Sequence, residues 1–338
     1  MEVEIAEGKA VRKRRSIFNS EATQKLAAFA GLILLFIGFS LASPAFLTFD
    51  NVIGILLATA VNGLLALGVT FVIITAGIDL SIGTLLALSG VMTGVFISYW
   101  GLPILVGILG GLLTGALAGA VSGLVISKMK VPPFIATLGM MKIAQGLALV
   151  ISGTKPIYFT DTPAFRQIVM GSVVGAIIPG LVIPNAVLIL FASAIIAYLI
   201  LNKTILGRYT FAIGSNEEAT RLSGVNVDFW KTSVYILSGL FAAIGGIVMA
   251  SRLSSAQPAL GLGYELDAIA AVVIGGTSLA GGEGTILGTI IGAFIISVLA
   301  NGLRILSVPQ EWQIVVTGAI VILAVYMDVL RRRQRETA

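Results

Sequence analysis

The segment PILVGILGGLLTGALAGAVSGLVI, residues 103–126, decides the kind of fold that this chain adopts. It contains no charged residue, and a helix of this length, rising about 1.5 Å per residue, can cross the ~30 Å hydrocarbon core of a membrane. Its glycines recur at every fourth position, at Gly107, Gly111, Gly115, Gly119 and Gly123. Residues four apart share one helix face, and small residues there let another helix backbone approach closely in lipid. The segment therefore predicts a transmembrane helix in close contact with its neighbours.

The rest of the 338-residue chain has the same apolar character. Hydrophobic residues make up 57% of it and charged residues 11%, against about 25% charged residues in soluble domains. The mean hydropathy is +1.04. A water-soluble protein of this size could not keep so apolar a surface dispersed. We therefore predict an all-α polytopic membrane protein.

Two chemically versatile residue types are missing, since the sequence contains no cysteine and no histidine. Their absence excludes disulfides, thiol nucleophiles, imidazole bases and the usual zinc or haem ligands. A phosphate-binding GxxxxGK[ST] loop is also absent, because the one Gly-Lys pair, Gly8-Lys9, is followed by Ala10. The chain therefore has no visible means of hydrolysing ATP. It needs energy from a partner or an ion gradient, or it conducts passively.

Apolar stretches of spanning length occur along the whole chain. They predict about ten transmembrane helices, at residues 26–47, 52–76, 80–98, 103–126, 134–152, 184–202, 232–251, 267–281, 285–303 and 312–330. The first follows a basic region and contains Ser40-Leu41-Ala42, which resembles a signal-peptide cleavage site. Its apolar stretch is longer than a typical signal core and further spans follow, so we expect a retained first span.

The distribution of lysine and arginine sets the orientation of these spans. With the N-terminus in the cytoplasm, 16 of the 21 lysines and arginines lie on the cytoplasmic side. We therefore predict basic cytoplasmic termini, residues 1–25 and 331–338, around one transmembrane domain, residues 26–330. Residues 153–183 form an external loop, and residues 203–231 form the longest cytoplasmic loop. The basic termini favour contact with anionic lipid over nucleic acid.

The cytoplasmic loop contains GSNEEATRLSG, residues 214–224. Ser215 and Glu218 have the spacing of a capping box, which starts a helix, and Gly224 can supply a left-handed stop. The pattern predicts a helix of about two turns with Ala219 and Leu222 on one side. So short a helix is not stable alone. It either rests on its own membrane domain or docks into a partner protein, and the local sequence leaves both open.

Few ionisable groups lie at predicted membrane depth, where each is costly. Asp79 either points into a polar pathway or caps the third span together with Ser81. Glu265 and Asp267 precede the eighth span, where a carboxylate suits a helix N-terminus but can also contact a polar ligand. Lys142, within the fifth span, is expected to extend its amine toward the cytoplasm.

Four stretches of the sequence resemble a known family. GIDLSIG, residues 77–83, looks like the signature of permease subunits in bacterial ABC importers for monosaccharides, and residues 214–226 resemble their ATPase-contacting loop. RLSSAQP, residues 252–258, and the stretch from GYELDAIAA to GGTSLAGG, residues 263–282, are most similar to ribose-type members. The resemblance covers about residues 45 to 330.

The resemblance implies a type II ABC importer architecture with about ten helices in each of two identical permease subunits. It implies no catalytic activity, cofactor or metal in this chain, since ATP and Mg would bind a separate cytoplasmic ATPase. An extracytoplasmic sugar-binding protein and a bacterial inner-membrane location with both termini cytoplasmic are also implied. The predicted coupling residues are Ser215, Asn216, Glu217, Glu218, Ala219, Arg221, Leu222 and Gly224. The candidate substrate-pathway residues are Asn62, Asp79, Ser81, Glu265 and Asp267.

Two other classes of protein compete with this interpretation. A proton-coupled secondary sugar transporter would use Asp79 as its proton carrier. A membrane-embedded enzyme or receptor scaffold is disfavoured, because the sequence lacks a catalytic constellation. Within the resembled family ribose is the expected sugar, with xylose, galactose, allose or a signalling sugar derivative left open.

Overall fold

The computed structural model describes residues 21–336, with side-chain environments for residues 26–330. The predicted basic termini, 1–25 and 331–338, lie outside the described side chains. In chain order the elements are α1 (Glu21–Ala42), α2 (Phe49–Ile74), α3 (Ile82–Gly94, continued by a π-helical turn Val95–Tyr99), α4 (Ile104–Ser127), α5 (Pro133–Ser152), β1 (Ile157–Tyr158), α6 (Pro163–Met170), α7 (Val173–Ile177), α8 (Asn185–Lys203), α9 (Ile205–Ser215), α10 (Glu217–Leu222), α11 (Val227–Leu253), β2 (Ser255–Ala256), α12 (Tyr264–Ile274), α13 (Ile286–Ile305) and α14 (Gln310–Glu336).

Eight helices in the described part of the chain are long and apolar enough to cross a membrane. They are α2, α3 with its π-helical turn, α4, α5, α8, α11, α13 and α14. This arrangement confirms the predicted all-α polytopic fold. The first predicted span corresponds to α1, a helix of 22 residues whose described apolar part is Leu26–Ala42.

The predicted eighth span, 267–281, is wrong as a continuous helix. Helix α12 has 11 residues and ends at Ile274, so it reaches about 16 Å, or roughly half of a bilayer's hydrocarbon thickness. The chain beyond it contains Gly276, Gly281 and Gly282 with φ of +94°, +85° and +75°. Left-handed backbone cannot continue a right-handed helix. Residues 275–282 are therefore mostly apolar but not helical.

Helix α11 lies at the centre of the bundle, packed against α2, α3 and α4. A Cβ added at Gly115 would collide with the carbonyl oxygen of Gly239, and one added at Gly119 would collide with that of Tyr235. The two backbones therefore touch directly along the glycine face of α4. The predicted close helix packing is confirmed, and its partner is α11.

The segment predicted to be an external loop, residues 153–183, packs against the C-terminal end of α11. Strand β1 pairs antiparallel with β2, with Ile157 opposite Ala256. The Oγ of Ser98, at the end of the α3 π-turn, donates to the carbonyl oxygen of Tyr158 at 2.9 Å. Helix α6 folds back onto α11, since Ser251 donates from its Oγ to the carbonyl oxygen of Phe165 at 2.7 Å. These contacts group the segments that the charge pattern predicts to be external.

At the opposite end of the bundle, the segments predicted to be cytoplasmic also meet. The backbone N–H of Gly282 donates to the carbonyl oxygen of Ile74 at 2.9 Å, and Gly214 lies against the same carbonyl. Lys130, just after α4, forms an ion pair of 2.9 Å with Asp228 in the first turn of α11. The turn after α2, the end of α9 and the segment after α12 therefore lie together.

Two helices of the bundle begin inside it rather than at a membrane surface. A Cβ at Gly83, in the first turn of α3, would meet Gly261 and the carboxylate of Glu265, which lie at the start of α12. Ala256, in the strand pair, lies against Gly94, about 16 Å further along α3. The chain between Ala256 and Gly261 therefore enters the bundle beside α3, and the N-termini of α3 and α12 lie close together at membrane depth.

Candidate functional site

The predicted coupling segment folds as two short helices, α9 and α10, of which the sequence predicted the second. Asn216 separates them with extended backbone angles (φ −161°, ψ 103°), and its Oδ1 accepts the N–H of Ala219 at 2.8 Å. The predicted capping box of Ser215 and Glu218 is wrong, because Ser215 is the last residue of α9. Asn216 is the N-cap instead, and asparagine serves there as well as serine. Gly224 has a φ of +84°, as predicted for the stop.

Ion pairs hold α10 onto the membrane domain. The Glu217 carboxylate pairs with Lys231 of α11 at 2.6 Å and with Arg221 at 3.4 Å. Arg221 also pairs with Asp228 at 2.9 Å, and Lys130 holds the same Asp228 oxygen. Single exposed pairs contribute little, about 0.2–1 kcal/mol each, but a network of them fixes the orientation of a short helix. Helix α10 is thereby tied to the first turns of α11.

The charge state of Glu217 follows from these contacts. Partial burial raises the pKa of its carboxyl, but hydrogen bonds and charge from Lys231 and Arg221 outweigh that effect. The pKa of Glu217 therefore lies below its usual value, and the carboxylate is ionised at neutral pH.

The two sides of α10 face different surroundings. Thr220 is buried against the protein, whereas Leu222 is 83% exposed and Glu218 and Ala219 are exposed beside it. The helix thus rests on its own domain on one side and presents Leu222 outward on the other. An apolar side chain held outward on a charged loop is typical of a docking contact.

A buried carboxylate links the start of α3 to α11. Asp79 is 2% exposed, and its Oδ1 accepts hydrogen bonds from the N–H and Oγ of Ser81, at 2.9 and 2.6 Å. Its Oδ2 accepts a third, of 2.8 Å, from the Oγ of Ser238 in the middle of α11. Three donors compensate the carboxylate for the loss of water. Helix α3 has Ser81 as its N-cap and no side-chain capping hydrogen bond, so the predicted capping of this helix by Asp79 is not present. Asp79 instead fixes the turn before α3 and joins that turn to α11.

Glu265 is a second buried carboxylate, and it lies in the first turn of α12. It is 8% exposed, and both carboxylate oxygens accept from the N–H of Gly263 at 3.1 Å. A carboxylate in the first turn also opposes the positive end of the helix dipole. Discontinuous helices of this kind place their N-termini at substrate sites near the midplane of many transporters.

The structure brings together only some of the five candidate pathway residues. Asp79 and Ser81 share a hydrogen-bonded cluster, and Glu265 lies beside the first turn of α3. Asp267 is partly exposed two positions further along α12, and Asn62 is partly exposed in the middle of α2. No hydrogen bond joins either of these two to Asp79 or Glu265 within the described residues. Their role in a pathway stays a prediction.

Sequence reasoning missed two residues of this cluster. Ser238 holds Asp79, and the Oγ1 of Thr137 in α5 donates to the carbonyl oxygen of Ile78 at 3.2 Å. The available signal was a lone hydroxyl residue on the inward face of an apolar span, where such groups connect helices. Among the described side chains, no three His, Cys, Asp or Glu residues cluster so as to hold a metal ion.

The helices, their close packing and the interrupted segments define a multi-pass membrane protein. Residues 51–325 match the family described as "Branched-chain amino acid transport system / permease component". Because the match covers most of the chain, the chain belongs to this family.

Three curated relatives show the extent of the similarity. The ribose import permease protein RbsC of Bacillus subtilis (strain 168) is 47% identical over 306 residues, 90% of this chain and 92% of the relative. That of Escherichia coli (strain K12) is 42% identical over 319 residues, 93% and 96% of the two chains. The L-arabinose transport system permease protein AraH of the same strain is 39% identical over 308 residues, 90% of each chain. No solved structure matches the chain significantly.

Proposed function

We propose that this chain is the membrane-spanning permease subunit of a binding-protein-dependent ABC importer that moves ribose into the bacterial cytoplasm. The similarity to the ribose import permease of Bacillus subtilis, 47% identical over 90% of the chain, carries this proposal. The arabinose-specific relative is less similar, at 39%. The preference for ribose within the monosaccharides rests on that difference.

Energy for import comes from a separate ATPase subunit, because this sequence lacks a phosphate-binding loop. ATP and Mg bind to that partner. The outward face of α10, with Glu218, Ala219 and Leu222, supports docking of the ATPase there. The chain itself is a transport subunit without a catalytic step of its own.

The assembly contains two copies of this permease, two ATPases inside the cell and a sugar-binding protein outside it. The excess of lysine and arginine on one side of the predicted topology supports cytoplasmic termini, and the similarity to import permeases supports a location in the inner membrane. In this orientation the basic termini would lie beside the anionic lipid of the cytoplasmic leaflet.

The contacts suggest how movement of the ATPase reaches the membrane. Ion pairs tie α10 to α11, and Ser238 of α11 holds Asp79 at the start of α3. A displacement of α10 therefore displaces α11 as a rigid element and shifts the interrupted start of α3. Such a two-state element, biased from a distant site, alternates the access of a pathway between the two sides.

Uptake of labelled sugars into vesicles tests the substrate. The vesicles contain the permease, its cognate ATPase and ATP inside, with the sugar-binding protein outside. We expect ATP-dependent uptake of labelled ribose, and weaker competition from unlabelled arabinose and xylose than from unlabelled ribose. Uptake that arabinose or xylose inhibits more strongly than ribose would contradict the assignment of ribose.

A further inference from the structure

Helix α5 has one buried and one exposed face. Thr137, Met141 and Ala144 lie on the buried face, which packs against α3. The opposite face is exposed along the whole helix, and it includes Ile135, Leu138, Gly139, Lys142, Ile143 and Gly146. A Cβ added at Gly139 or Gly146 would meet nothing within 4 Å. The described residues thus leave this face uncovered.

Lys142 stands at the middle of α5 on this exposed face. A charged residue facing lipid at the bilayer centre costs at least about 2.5–3.5 kcal/mol, and such residues almost always face the bundle interior or a water-filled cavity. The centre of a 20-residue helix is about 15 Å from its ends, which exceeds the reach of a lysine side chain. Burial of the amine at a membrane surface is therefore not available to Lys142.

The direction of the Lys142 side chain also argues against an amine at the membrane surface. The Nζ of Lys142 donates to the Oε1 of Gln145 at 3.4 Å, one turn toward the C-terminal end of α5. We expected the amine to extend toward the cytoplasmic, N-terminal end, and the structure places it otherwise. Two polar side chains, the exposed Lys142 and the half-buried Gln145, therefore meet at mid-membrane at the edge of the uncovered face.

The lipid-facing stripe of α4 provides a contrast. Its exposed residues are Leu105, Val106, Leu109, Leu113, Leu117, Val121 and Leu124, all apolar. These lie opposite the glycine face that packs against α11. A helix of this protein that faces lipid thus has a wholly apolar stripe, and α5 does not.

We propose that Lys142 and Gln145 of α5 contact the sugar in the water-filled passage that the proposed pair of permeases would form between its two copies. The inference rests on the proposed function, sugar import by a pair of identical permeases. An ammonium group donates three hydrogen bonds, and an amide both donates and accepts, which suits the hydroxyl groups of an uncharged sugar. Two-fold symmetry brings the amines of both copies into one passage, where positive charge opposes the leakage of protons and other cations.

Thiol accessibility tests whether the face is wet, and the chain contains no native cysteine that would interfere. Lys142→Cys is compared with Leu113→Cys, a control near the middle of α4 that is 59% exposed to the predicted lipid. Both variants are treated in the assembled complex with a charged, membrane-impermeant thiol reagent. We expect Lys142→Cys to react more than about tenfold faster than Leu113→Cys, because only a hydrated thiol ionises readily. We also expect the reaction of Lys142→Cys to slow while sugar is being transported. Equal rates would overturn the proposal.

Transport by two further variants tests the contact with sugar. Lys142→Met removes the donor, and we expect uptake at saturating binding protein to fall about tenfold, as a lost hydrogen bond to a charged group implies. ATP hydrolysis should remain, and Lys142→Arg should restore uptake. Loss of hydrolysis together with uptake, in both variants, would indicate a purely structural role and contradict the proposal.

Wild-type uptake separates this inference from the proposed function. Sugar import by the wild type together with a lipid-like reactivity of Lys142→Cys would refute the passage at α5 and leave the function standing. Rapid reaction of Lys142→Cys without any sugar import by the wild type would refute the sugar contact and the proposed function, while the hydrated face remained.

Discussion

The Oγ of Ser238 donates a hydrogen bond of 2.8 Å to the Oδ2 of Asp79, across 159 residues of sequence. This bond joins the middle of α11 to the interrupted start of α3. The first turns of the same helix α11 hold the short helix α10 through Lys231 and Asp228. One continuous helix therefore connects the proposed docking surface on α10 with the buried carboxylate.

Removal of this bond should weaken the connection without removing either helix. In Ser238→Ala the Asp79 oxygen loses its donor, at a cost of about 1–3 kcal/mol. We expect uptake per ATP hydrolysed to fall about tenfold, measured in vesicles with the ATPase and binding protein. Ser233→Ala is the matched control, because the Oγ of Ser233 is exposed and donates to the carbonyl oxygen of Phe229 on its own helix. Equal coupling in the two variants would contradict the prediction.

Two substitutions of Asp79 distinguish a structural hydrogen-bonding role from the role of a proton carrier. In Asp79→Asn the remaining oxygen can still accept from Ser81, and the new NH₂ group can donate to the Oγ of Ser238. We expect this variant to retain most of its uptake, whereas Asp79→Ala, which removes all three bonds, should lose it. An inactive Asp79→Asn variant in a folded complex would support the proton-coupled alternative instead.

The outward face of α10 should bind the ATPase. Leu222→Asp changes a side chain that is 83% exposed, so we expect the permease to fold normally and the ATPase to co-purify poorly. Ser223→Asp, next to it and also exposed, is a control for added charge. Normal recovery of the ATPase with Leu222→Asp would place the docking surface elsewhere.

Acidification should release α10 from α11. The pKa of Glu217 in the folded protein lies below the unfolded value of 4.5, so its stabilising contribution is complete above that value. The contribution is lost as the pH falls through the lower pKa of the folded state. We expect amide exchange in residues 216–224, corrected for its intrinsic pH dependence, to accelerate below pH 4.5. Glu217→Gln should show faster exchange than the wild type at neutral pH and a smaller further change with acid, because only the Arg221–Asp228 ion pair is then left to break. A wild-type-like profile for this variant would contradict the role of Glu217.

The sequence predicted the spanning helices well because lipid demands long apolar segments with every backbone group bonded internally. The close packing of α4 was also predicted correctly, because glycines four residues apart lie on one face of a helix. The interruption after Ile274 was not, because the segment stays apolar while Gly276, Gly281 and Gly282 take left-handed angles. Hydropathy indicates whether a segment lies in lipid or in water, but it does not indicate the backbone conformation of that segment.

Details of the candidate site escaped prediction for different reasons. The N-cap of α10 is Asn216 and not Ser215, because α9 extends further than the polar loop suggests. Ser215 is the last residue of α9 and therefore has helical backbone. The bond from Ser238 depends on tertiary packing across two distant helices, which no local pattern encodes. Lys142 was visible in the sequence, but its direction along α5 required the contact with Gln145.

The energy source of uptake distinguishes an ATP-driven importer from a proton-coupled transporter. Vesicles that contain the permease, its cognate ATPase and the sugar-binding protein are given labelled ribose with ATP inside and a protonophore present. We expect ribose to accumulate, and accumulation to stop when ATP or the ATPase is omitted. Accumulation by the permease alone, driven by an imposed proton gradient and abolished by the protonophore, would contradict this expectation.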